Sequence, residues 1–458
     1  MRHYLKYLMI LFVFTGSAKA QDNEQIWESE FNFGGNFVLT TFLKVNQSQN
    51  QFTITSPENA DKRMFGNFKS KLGRATGKLP KKGIFITING TIEGNDLVGV
   101  VNTPLLGDLT FEGVLEKDLL TGNLLKNDTL VIGNLKAIKS KKNQISYKHL
   151  HAKLIDLTES NIYSKDVLKT KSWKKFNKSL KRILNKAEDD IELFVGFNMI
   201  SQNLGFSHYN LMLSGENTTI PEEEDNDTTQ SKEVTFEEKN ATTAYLKIDN
   251  FSSTQEELAK VLPKVVENKN YENLIIDLRN NGGGGIEAAF ELAQHLISQS
   301  TNVGYFITKN LEYSGFDKKL FENLNEINPS TTDQFIEYLK NNTGAKLVFH
   351  ETDTSVFKGN LYVLTNNNTA STCEPIVYIL KNNLGATIIG EQTAGAMLSA
   401  APFDIEEKYK LILPIADFYT SDGVRLDQNG VLPNVVIESE KALDKALEII
   451  NNNTIKNY

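Results

Sequence analysis

The sequence predicts two folds in one chain, an antiparallel all-β domain followed by an α/β domain in which helices cover a sheet. Residues 26–135 alternate apolar and polar residues in short runs broken by Gly, Asn and Asp, which is typical of antiparallel strands at hairpin spacing. Beyond residue 241, aliphatic runs alternate with helical segments, as they do in α/β sheets. With 458 residues, 40% hydrophobic and 23% charged, the chain can bury the cores of both domains.

Changes of pattern along the chain predict the domain boundaries. Basic residues, an apolar run and small residues follow one another in residues 1–20, which predicts an export signal. Residues 146–213 have helical periodicity, whereas residues 214–239 are polar and acidic without an apolar period. The predicted segments are a signal peptide (1–20), a β-rich domain (21–145), a helical subdomain (146–213), an acidic linker (214–240) and an α/β domain (241–458).

Charge and cysteine content limit the classes of function. The net charge is −8 and no basic stripe is interleaved with aromatic residues, so the sequence predicts no nucleic-acid partner. Cys373 is the only cysteine, which excludes an intrachain disulfide and, with the export signal, predicts a bacterial-type periplasmic or secreted protein. After the signal, no apolar run reaches the ~20 residues needed for a transmembrane segment. Composition does not predict the oligomeric state.

Period-two alternation predicts the strands of the β-rich domain. The pattern fits an antiparallel sheet, a sandwich or a small barrel. The predicted strands are 36–45, 51–54, 83–92, 97–101, 109–115, 122–125 and 129–132. These runs carry no catalytic cluster, so the sequence suggests only docking or shielding for this domain.

Alternating strands and helices predict the elements of the α/β domain. The predicted strands are 244–248, 274–278, 361–364, 386–389 and 411–415. The predicted helices are 254–267, 286–299, 316–340, one that begins at Ser371, and 441–450.

Ser371 lies in a turn between a predicted strand and a predicted helix. A hydroxyl in such a turn, at the positive end of a helix, is placed where a nucleophile would sit. The residues from Ser371 to Glu374 also fit a capping box, in which Ser371 only caps the helix and Glu374 reaches back. Taken alone, the stretch favours the plain cap, because capping boxes are common helix starts.

Four glycines, Gly282 to Gly285, follow the predicted strand 274–278. Backbone N–H groups at the start of a helix can bind a phosphate or a developing oxyanion. The phosphate interpretation fails because no Lys-Ser/Thr pair follows the glycines and their spacing fits the dinucleotide motif poorly. The glycines can equally form only a tight turn.

His208 and Asp427 are the remaining candidates. His208 is one of six histidines and follows the glycine-containing end of a predicted helix, although a lone histidine is more often structural than catalytic. Asp427 lies between two turn signals and is most simply a loop acid, but a carboxylate there could orient an imidazole. No His-x-x-x-His or Glu-x-x-His pattern occurs, so the sequence predicts neither a metal nor a cofactor.

Together these segments resemble the C-terminal-processing, or tail-specific, serine peptidase family, in the branch related to the tricorn protease core. The resemblance covers residues 146–437 and depends on four motifs in chain order. They are LGFSHYNL (204–211), LIIDLRNNGGG (274–284), NNNTASTCEPIVYILKNNLGATIIGEQTAG (366–395) and DGVRLDQNGVLP (422–433). The resemblance implies an α/β peptidase domain, with the helical segment as its N-terminal subdomain, and a peptide or protein substrate.

The resemblance also implies a role for each candidate residue. In this arrangement a serine attacks, a histidine removes its proton, and a serine and an acid orient the imidazole. Backbone N–H groups form the oxyanion hole. The implied catalytic residues are Ser371, His208, Asp427 and Ser207, and the implied oxyanion donors are Thr372 with Gly283 or Gly284.

Departures from the family pattern leave alternatives open. Ala396 stands where tail-specific members carry a lysine base, so the resemblance implies a histidine base instead. Asp427 replaces the more usual glutamate, and no peptide-tethering PDZ domain is evident. One alternative is a catalytically inactive protein of the same fold that binds peptides or apolar ligands. A dinucleotide-binding oxidoreductase is a more remote alternative.

Overall fold

The computed structural model describes a β-barrel, a group of helices and an α/β body with two sheets. The described residues are 25–33, 38–56, 86–103, 107–214, 233–268, 270–353 and 355–456. The predicted signal peptide and most of the predicted linker lie outside them. Within these ranges no helix is long and apolar enough to cross a membrane.

Eight antiparallel strands close into a barrel, because each strand pairs with the next and the last pairs with the first. The strands are β1 (Ile26–Asn32), β2 (Val38–Ser48), β3 (Gln51–Thr55), β4 (Thr87–Glu93), β5 (Asp96–Thr103), β6 (Gly107–Leu115), β7 (Leu119–Lys126) and β8 (Leu130–Ser140). The sequence analysis missed β1 and ended the last strand too early. These two strands, β1 and β8, pair with each other although they lie at opposite ends of the domain's sequence. Local alternation of residues does not reveal such a pairing.

Aromatic side chains fill the inside of the barrel. Phe52 and Phe111 are buried, with ring centroids 6.4 Å apart. Gly113 and Gly122 face each other across two strands beside the Phe111 ring. A Cβ added to either glycine would lie 2.6 or 2.5 Å from ring atoms of Phe111. Glycine at these positions therefore makes room for the ring in a packed core.

Three helices follow the barrel and are α1 (Leu150–Asn161), α2 (Lys171–Leu184) and α3 (Asp190–Ser201). The α3 helix packs directly on the barrel, since Ile191 belongs to the barrel's core cluster and Val195 packs against it. The same helix leads, within a few residues, to the segment that carries His208. The barrel therefore contacts the element that positions a candidate catalytic residue.

A buried carboxylate joins the barrel, α3 and the sheet. Asp190 is fully buried at the start of α3. Its hydrogen-bond donors are Thr40 N at 2.7 Å, Tyr147 Oη at 2.8 Å, Tyr409 Oη at 2.7 Å and Lys408 Nζ. These four donors come from the barrel, the helical segment and the α/β body, so one side chain ties the three parts together.

A sheet covered on both faces forms the centre of the α/β body. Its strands lie in the order β10 (Val234–Asn240), β11 (Thr243–Ile248), β12 (Asn273–Asp277), β16 (Asn360–Thr365), β17 (Thr387–Gly390) and β20 (Val435–Val436). All neighbours pair in parallel except β10 and β11. Sheets of this kind are buried on both faces, so their strands are continuous aliphatic runs.

Helices cover both faces of this sheet. Leu274 and Ile276 pack in one core cluster with residues of α4 (Gln255–Glu267), α5 (Ile286–Gln294) and α8 (Cys373–Asn382). Ile275, between them, packs on the other face against α9 (Ala442–Lys456). The predicted sheet with covering helices is thus confirmed.

A second sheet, which the sequence analysis did not separate from the first, packs beside it. Its strands lie in the order β14 (Glu326–Ile327), β15 (Gly344–Phe349), β13 (Thr301–Thr308), β19 (Tyr409–Thr420) and β18 (Ser399–Glu406), and β9 (Asn210–Leu213) also pairs with β19. Only part of β19 was predicted. The strands of this sheet pair across long sequence separations, as β13 does with β19.

Two further predicted segments differ from the structure. The predicted helix 316–340 divides into α6 (Lys318–Glu322), β14 and α7 (Thr332–Asn341), because β14 pairs with β15. The predicted linker 214–240 ends in β10, which pairs with β11. In both segments a neighbouring strand supplies hydrogen bonds that the local sequence does not predict.

Candidate active site

Loops at the carboxyl ends of three adjacent parallel strands form the candidate site. Crevices at the carboxyl ends of parallel strands are the usual ligand sites of α/β sheets. A fourth segment, between α3 and β9, brings His208 to the same place. The loops are residues 278–285 after β12, residues 366–372 after β16 and residues 391–398 after β17.

Ser371 stands in a strained turn directly before α8. Its backbone φ is 55°, a left-handed conformation that residues other than glycine rarely adopt. The α8 helix takes Thr372 as its N-cap and has no side-chain cap hydrogen bond. The backbone of Ser371 is engaged, since its N–H donates to Ala396 O at 3.1 Å. The hydroxyl therefore does not cap α8, and Ser371 lines a cavity instead.

Glu374 holds the loops around Ser371 together. Its carboxylate is fully buried, and burial raises its pKa while its hydrogen bonds oppose that shift. Its donors are Ser371 N at 3.3 Å, Thr393 Oγ1 at 2.6 Å, Gly395 N at 2.8 Å and Ala396 N at 2.7 Å. The sequence analysis assigned Glu374 only the return contact of a capping box. The contacts to residues 393–396 depend on tertiary structure.

Two backbone N–H groups beside Ser371 are available for an oxyanion. Within the described residues, the N–H groups of Gly284 and Thr372 donate no hydrogen bond, and both residues line the cavity. The Thr372 hydroxyl donates to Gly284 O at 2.7 Å and so connects the two donors. The Gly283 N–H, by contrast, donates to Asn281 Oδ1 at 2.9 Å. Of the two glycines considered as donors, only Gly284 has its N–H free.

Gly283 has a steric role. Its φ is 95°, and a Cβ added there would lie 2.7 Å from Ser371 Cβ and 2.9 Å from Ala370 O. Backbone atoms and a short side chain cannot yield as a long flexible side chain can. Only glycine therefore allows this close approach of the glycine loop to the Ser371 turn.

His208 also has left-handed backbone, with a φ of 57°. Its Nδ1 lies 2.8 Å from Ser207 Oγ, so the neighbouring hydroxyl orients the ring. Burial lowers the pKa of His208 below its usual value, because the charged imidazolium is poorly solvated there. A neutral imidazole with one oriented nitrogen is the form that can accept a proton.

Asp427 reaches the histidine through Ser207. The carboxyl is fully buried, and burial raises its pKa, whereas hydrogen bonding by Ser207 and the charge of Arg425 lower it. Met397 N donates to Asp427 Oδ1 at 3.3 Å. The structure thus links Asp427, Ser207 and His208 in one series of hydrogen bonds.

Ser371, Thr372, Gly284 and His208 line a single cavity of about 250 Å³. Its wall is otherwise mainly apolar and includes Phe290, Phe306, Phe335 and Phe349. Among the described residues that line the cavity there is no Asp, Glu, Lys or Arg. The described part of the chain also has no group of three or more His, Cys, Asp or Glu that could hold a metal ion.

A protein-family model matches most of the α/β body. Residues 242–437 match the family model described as Peptidase family S41. The match spans less than half of the chain. The resemblance inferred from the motifs is confirmed, and the S41 match supports a peptidase. The matched segment contains Ser371 and Asp427 but begins after Ser207 and His208.

Three solved structures similar to this chain are matched over most of their own length. A lipoprotein from Streptococcus agalactiae is 18% identical, with 67% of this chain and 97% of that chain covered and a TM-score of 0.46. A putative peptidase from Parabacteroides merdae is 14% identical, with coverages of 67% and 97% and a TM-score of 0.47. The photosystem II D1 C-terminal processing protease is 15% identical, with coverages of 65% and 94% and a TM-score of 0.39.

Proposed function

We propose that this chain is an exported serine peptidase that hydrolyses peptide bonds of proteins or peptides by a Ser-His mechanism. One observation carries the proposal: Ser371 and His208, whose ring is oriented by Ser207 and whose pKa is lowered by burial, line one cavity beside two free backbone N–H groups. Export rests on the sequence of residues 1–20 alone. Periplasmic and extracellular locations are both compatible with it.

In the proposed reaction, His208 removes the Ser371 proton as the hydroxyl oxygen attacks the peptide carbonyl carbon. The carbonyl oxygen becomes an oxyanion and accepts hydrogen bonds from the N–H groups of Gly284 and Thr372. The imidazolium then gives its proton to the leaving amine, which leaves an acyl ester on Ser371. A water molecule hydrolyses this ester by the same sequence of proton transfers.

The test is mass spectrometry of the protein after exposure to a fluorophosphonate, which reacts with activated serines. The expected result is modification at Ser371 that is lost in the Ser371→Ala and His208→Ala variants. If the folded protein is not modified and binds apolar peptides without cleaving them, the inactive binding protein replaces the peptidase. An apolar cavity would serve such a protein as well.

The cavity predicts the side chain that precedes the cleaved bond. Because its wall is apolar and carries no carboxylate or cationic side chain, peptides with Phe or Leu at this position should be favoured. We expect kcat/KM at least about 100-fold higher for them than for peptides with Asp or Lys there. A matched series of fluorogenic peptides that differ only at this position measures the ratio, and equal values for all four would contradict the prediction.

A variant that narrows the cavity sharpens this prediction. Ala289 lines the cavity, so Ala289→Leu should lower kcat/KM for Phe substrates while leaving Ala substrates nearly unchanged. Fluorophosphonate labelling of Ser371 serves as the control, because the attacking group is not altered. A loss for both substrates without loss of labelling would mean that the side chain binds elsewhere.

The pKa of His208 predicts the pH dependence of cleavage. Burial disfavours the imidazolium, so its pKa lies below the usual ~6.5 and the neutral base persists to lower pH. We therefore expect kcat/KM to remain high at pH 6.5 and to fall only below it. Rates measured between pH 4 and 8, with circular dichroism as a control for folding, check this. A midpoint above pH 6.5 would be inconsistent with a histidine whose pKa is lowered by its surroundings.

A further inference from the structure

Arg425 lies between two buried carboxylates, one of which is Asp427. Its Nε donates to Asp417 at 3.0 and 2.8 Å, and its Nη2 lies 3.3 Å from Asp427 Oδ2. Its Nη1 also donates to the backbone carbonyl of Asp427 at 3.1 Å. The guanidinium therefore holds both the side chain and the backbone of Asp427, in a planar geometry that lysine cannot copy.

The charge balance of this cluster depends on Arg425. The side chains of Asp417 and Asp427 are 4% and 0% exposed, and that of Arg425 is 26% exposed. Burial raises the pKa of both carboxyls, the charge of Asp417 raises the pKa of Asp427 further, and Arg425 lowers the pKa of both. Without Arg425, only the Ser207 and Met397 hydrogen bonds would favour the ionised form of Asp427.

The other titratable groups that face the cluster come from separate elements. They are Tyr163 after α1, Tyr313 in the loop after β13, Tyr419 on β19 and, beyond Ser207, His208. Burial raises the pKa of each of the three tyrosines, so they remain neutral near pH 7. Arg425 is thus the one cation among the described side chains that contact Asp427.

The protonation of Asp427 determines where the His208 proton resides. An ionised carboxylate only accepts, so Ser207 donates its single hydroxyl proton to Asp427, and Ser207 Oγ then accepts from Nδ1–H. In that tautomer Nε2 is bare and can take the Ser371 proton. A neutral Asp427 can instead donate to Ser207, whose proton then points at Nδ1. That reversal leaves the proton on Nε2 and removes the base.

We propose that Arg425 is a positioning residue that keeps Asp427 ionised and thereby fixes His208 in the tautomer protonated on Nδ1. This inference rests on the proposed function, because it concerns how the same histidine is prepared as a base. Arg425 touches neither Ser371 nor the cavity. Its effect passes through Asp427 and Ser207.

The direct test is ¹⁵N NMR of the imidazole of His208, assigned by comparison with a His208→Gln variant. In the unaltered protein near pH 7 we expect a protonated Nδ1 and a bare Nε2. Arg425→Gln should move the proton to Nε2 at the same pH. An unchanged tautomer in a folded Arg425→Gln variant would overturn the proposal, and this readout does not require catalytic activity.

Kinetics supply a second test, because a purely structural role of Arg425 would not make the loss of kcat/KM depend on pH. Arg425→Gln should lower kcat/KM near pH 7 by roughly 10²- to 10⁴-fold, the range expected for a wrong histidine tautomer. The loss should shrink as pH rises, because Asp427 ionises again. The kcat/KM of Arg425→Lys, which keeps the charge, should lie between the values of the unaltered protein and of Arg425→Gln. A uniform loss at every pH would show that Arg425 only supports the fold.

Asp417→Asn should change the pKa of Asp427 in the opposite direction to Arg425→Gln, and it keeps the proposal testable if Arg425→Gln does not fold. Asp417 raises the pKa of Asp427, so Asp417→Asn should shift the acid limb of the rate profile to lower pH or leave it in place. A shift to higher pH would overturn the proposal. If labelling and cleavage fail in the unaltered protein while the NMR signals respond to Arg425→Gln, the peptidase function is wrong and the Arg425 inference stands.

Discussion

Replacing Ser371 with alanine is expected to lower kcat/KM for peptide cleavage by about four to six orders of magnitude, because the attacking oxygen is lost. His208→Ala should cause a loss of similar size, since an unactivated hydroxyl is a weak nucleophile. The double variant should be no worse than either single variant, because the two residues act as one unit. Steady-state rates with a fluorogenic peptide that carries Phe before the cleaved bond measure all three.

Ser399 provides a matched control for this experiment. It is a second serine in the wall of the same cavity, on β18 rather than at the strained turn before α8. Ser399→Ala should retain activity within about tenfold and keep fluorophosphonate labelling at Ser371. Loss of cleavage in Ser399→Ala together with full activity in Ser371→Ala would show that Ser399, and not Ser371, is the nucleophile.

Gly283→Ala is expected to lower kcat by at least about 100-fold, the cost of losing one oxyanion donor. The new Cβ would lie 2.7 Å from Ser371 Cβ and 3.0 Å from Thr372 N, and the φ of 95° disfavours any side chain. The glycine loop and the Ser371 turn must therefore separate, which moves Gly284 and Thr372 away from a common oxygen. Rates of ester and peptide hydrolysis, with labelling as an independent readout, test this.

Gly282→Ala is the control for Gly283→Ala. The two glycines are adjacent, but no atom lies within 4 Å of a Cβ added to Gly282, and its φ is outside the left-handed region. Gly282→Ala should therefore keep close to full activity and stability. Equal losses in both variants would indicate that flexibility of the glycine loop, rather than its close contact with Ser371, controls activity.

Local patterns were sufficient for the strands of the first sheet and for the main site motifs. Strands such as β12 and β16 are aliphatic throughout because both faces of the sheet are covered, and this pattern is visible in sequence. Ser371 became a candidate because a hydroxyl between a strand and a helix is a local feature. The sequence could not decide between cap and nucleophile, since the φ of Ser371 and the hydrogen bond to Ala396 depend on the folded loop.

The residues that sequence reasoning missed act through contacts that depend on the folded conformation of the loops. Glu374 binds residues 393–396, which local capping rules do not predict. The side chain of Asn281 occupies the N–H of Gly283, so Gly284 is the free donor of the pair. Arg425 was visible in the last motif, but its contacts with Asp417 on β19 and with Asp427 are seen only in the folded chain. The sequence signal that could have indicated a role for Arg425 is its position two residues before the candidate acid Asp427.

The sequence by itself determined the order of the domains, the aliphatic strands of the first sheet, the family resemblance and the candidates Ser371 and His208, because these depend on periodicity and short motifs. The tertiary structure alone decided that the barrel closes and packs on α3, that a second sheet forms, and which N–H groups remain free. It also decided the apolar cavity, whose lining residues extend from His208 to Ile412. The physical reason is that closure, burial and hydrogen-bond occupancy are properties of residues that meet only after folding.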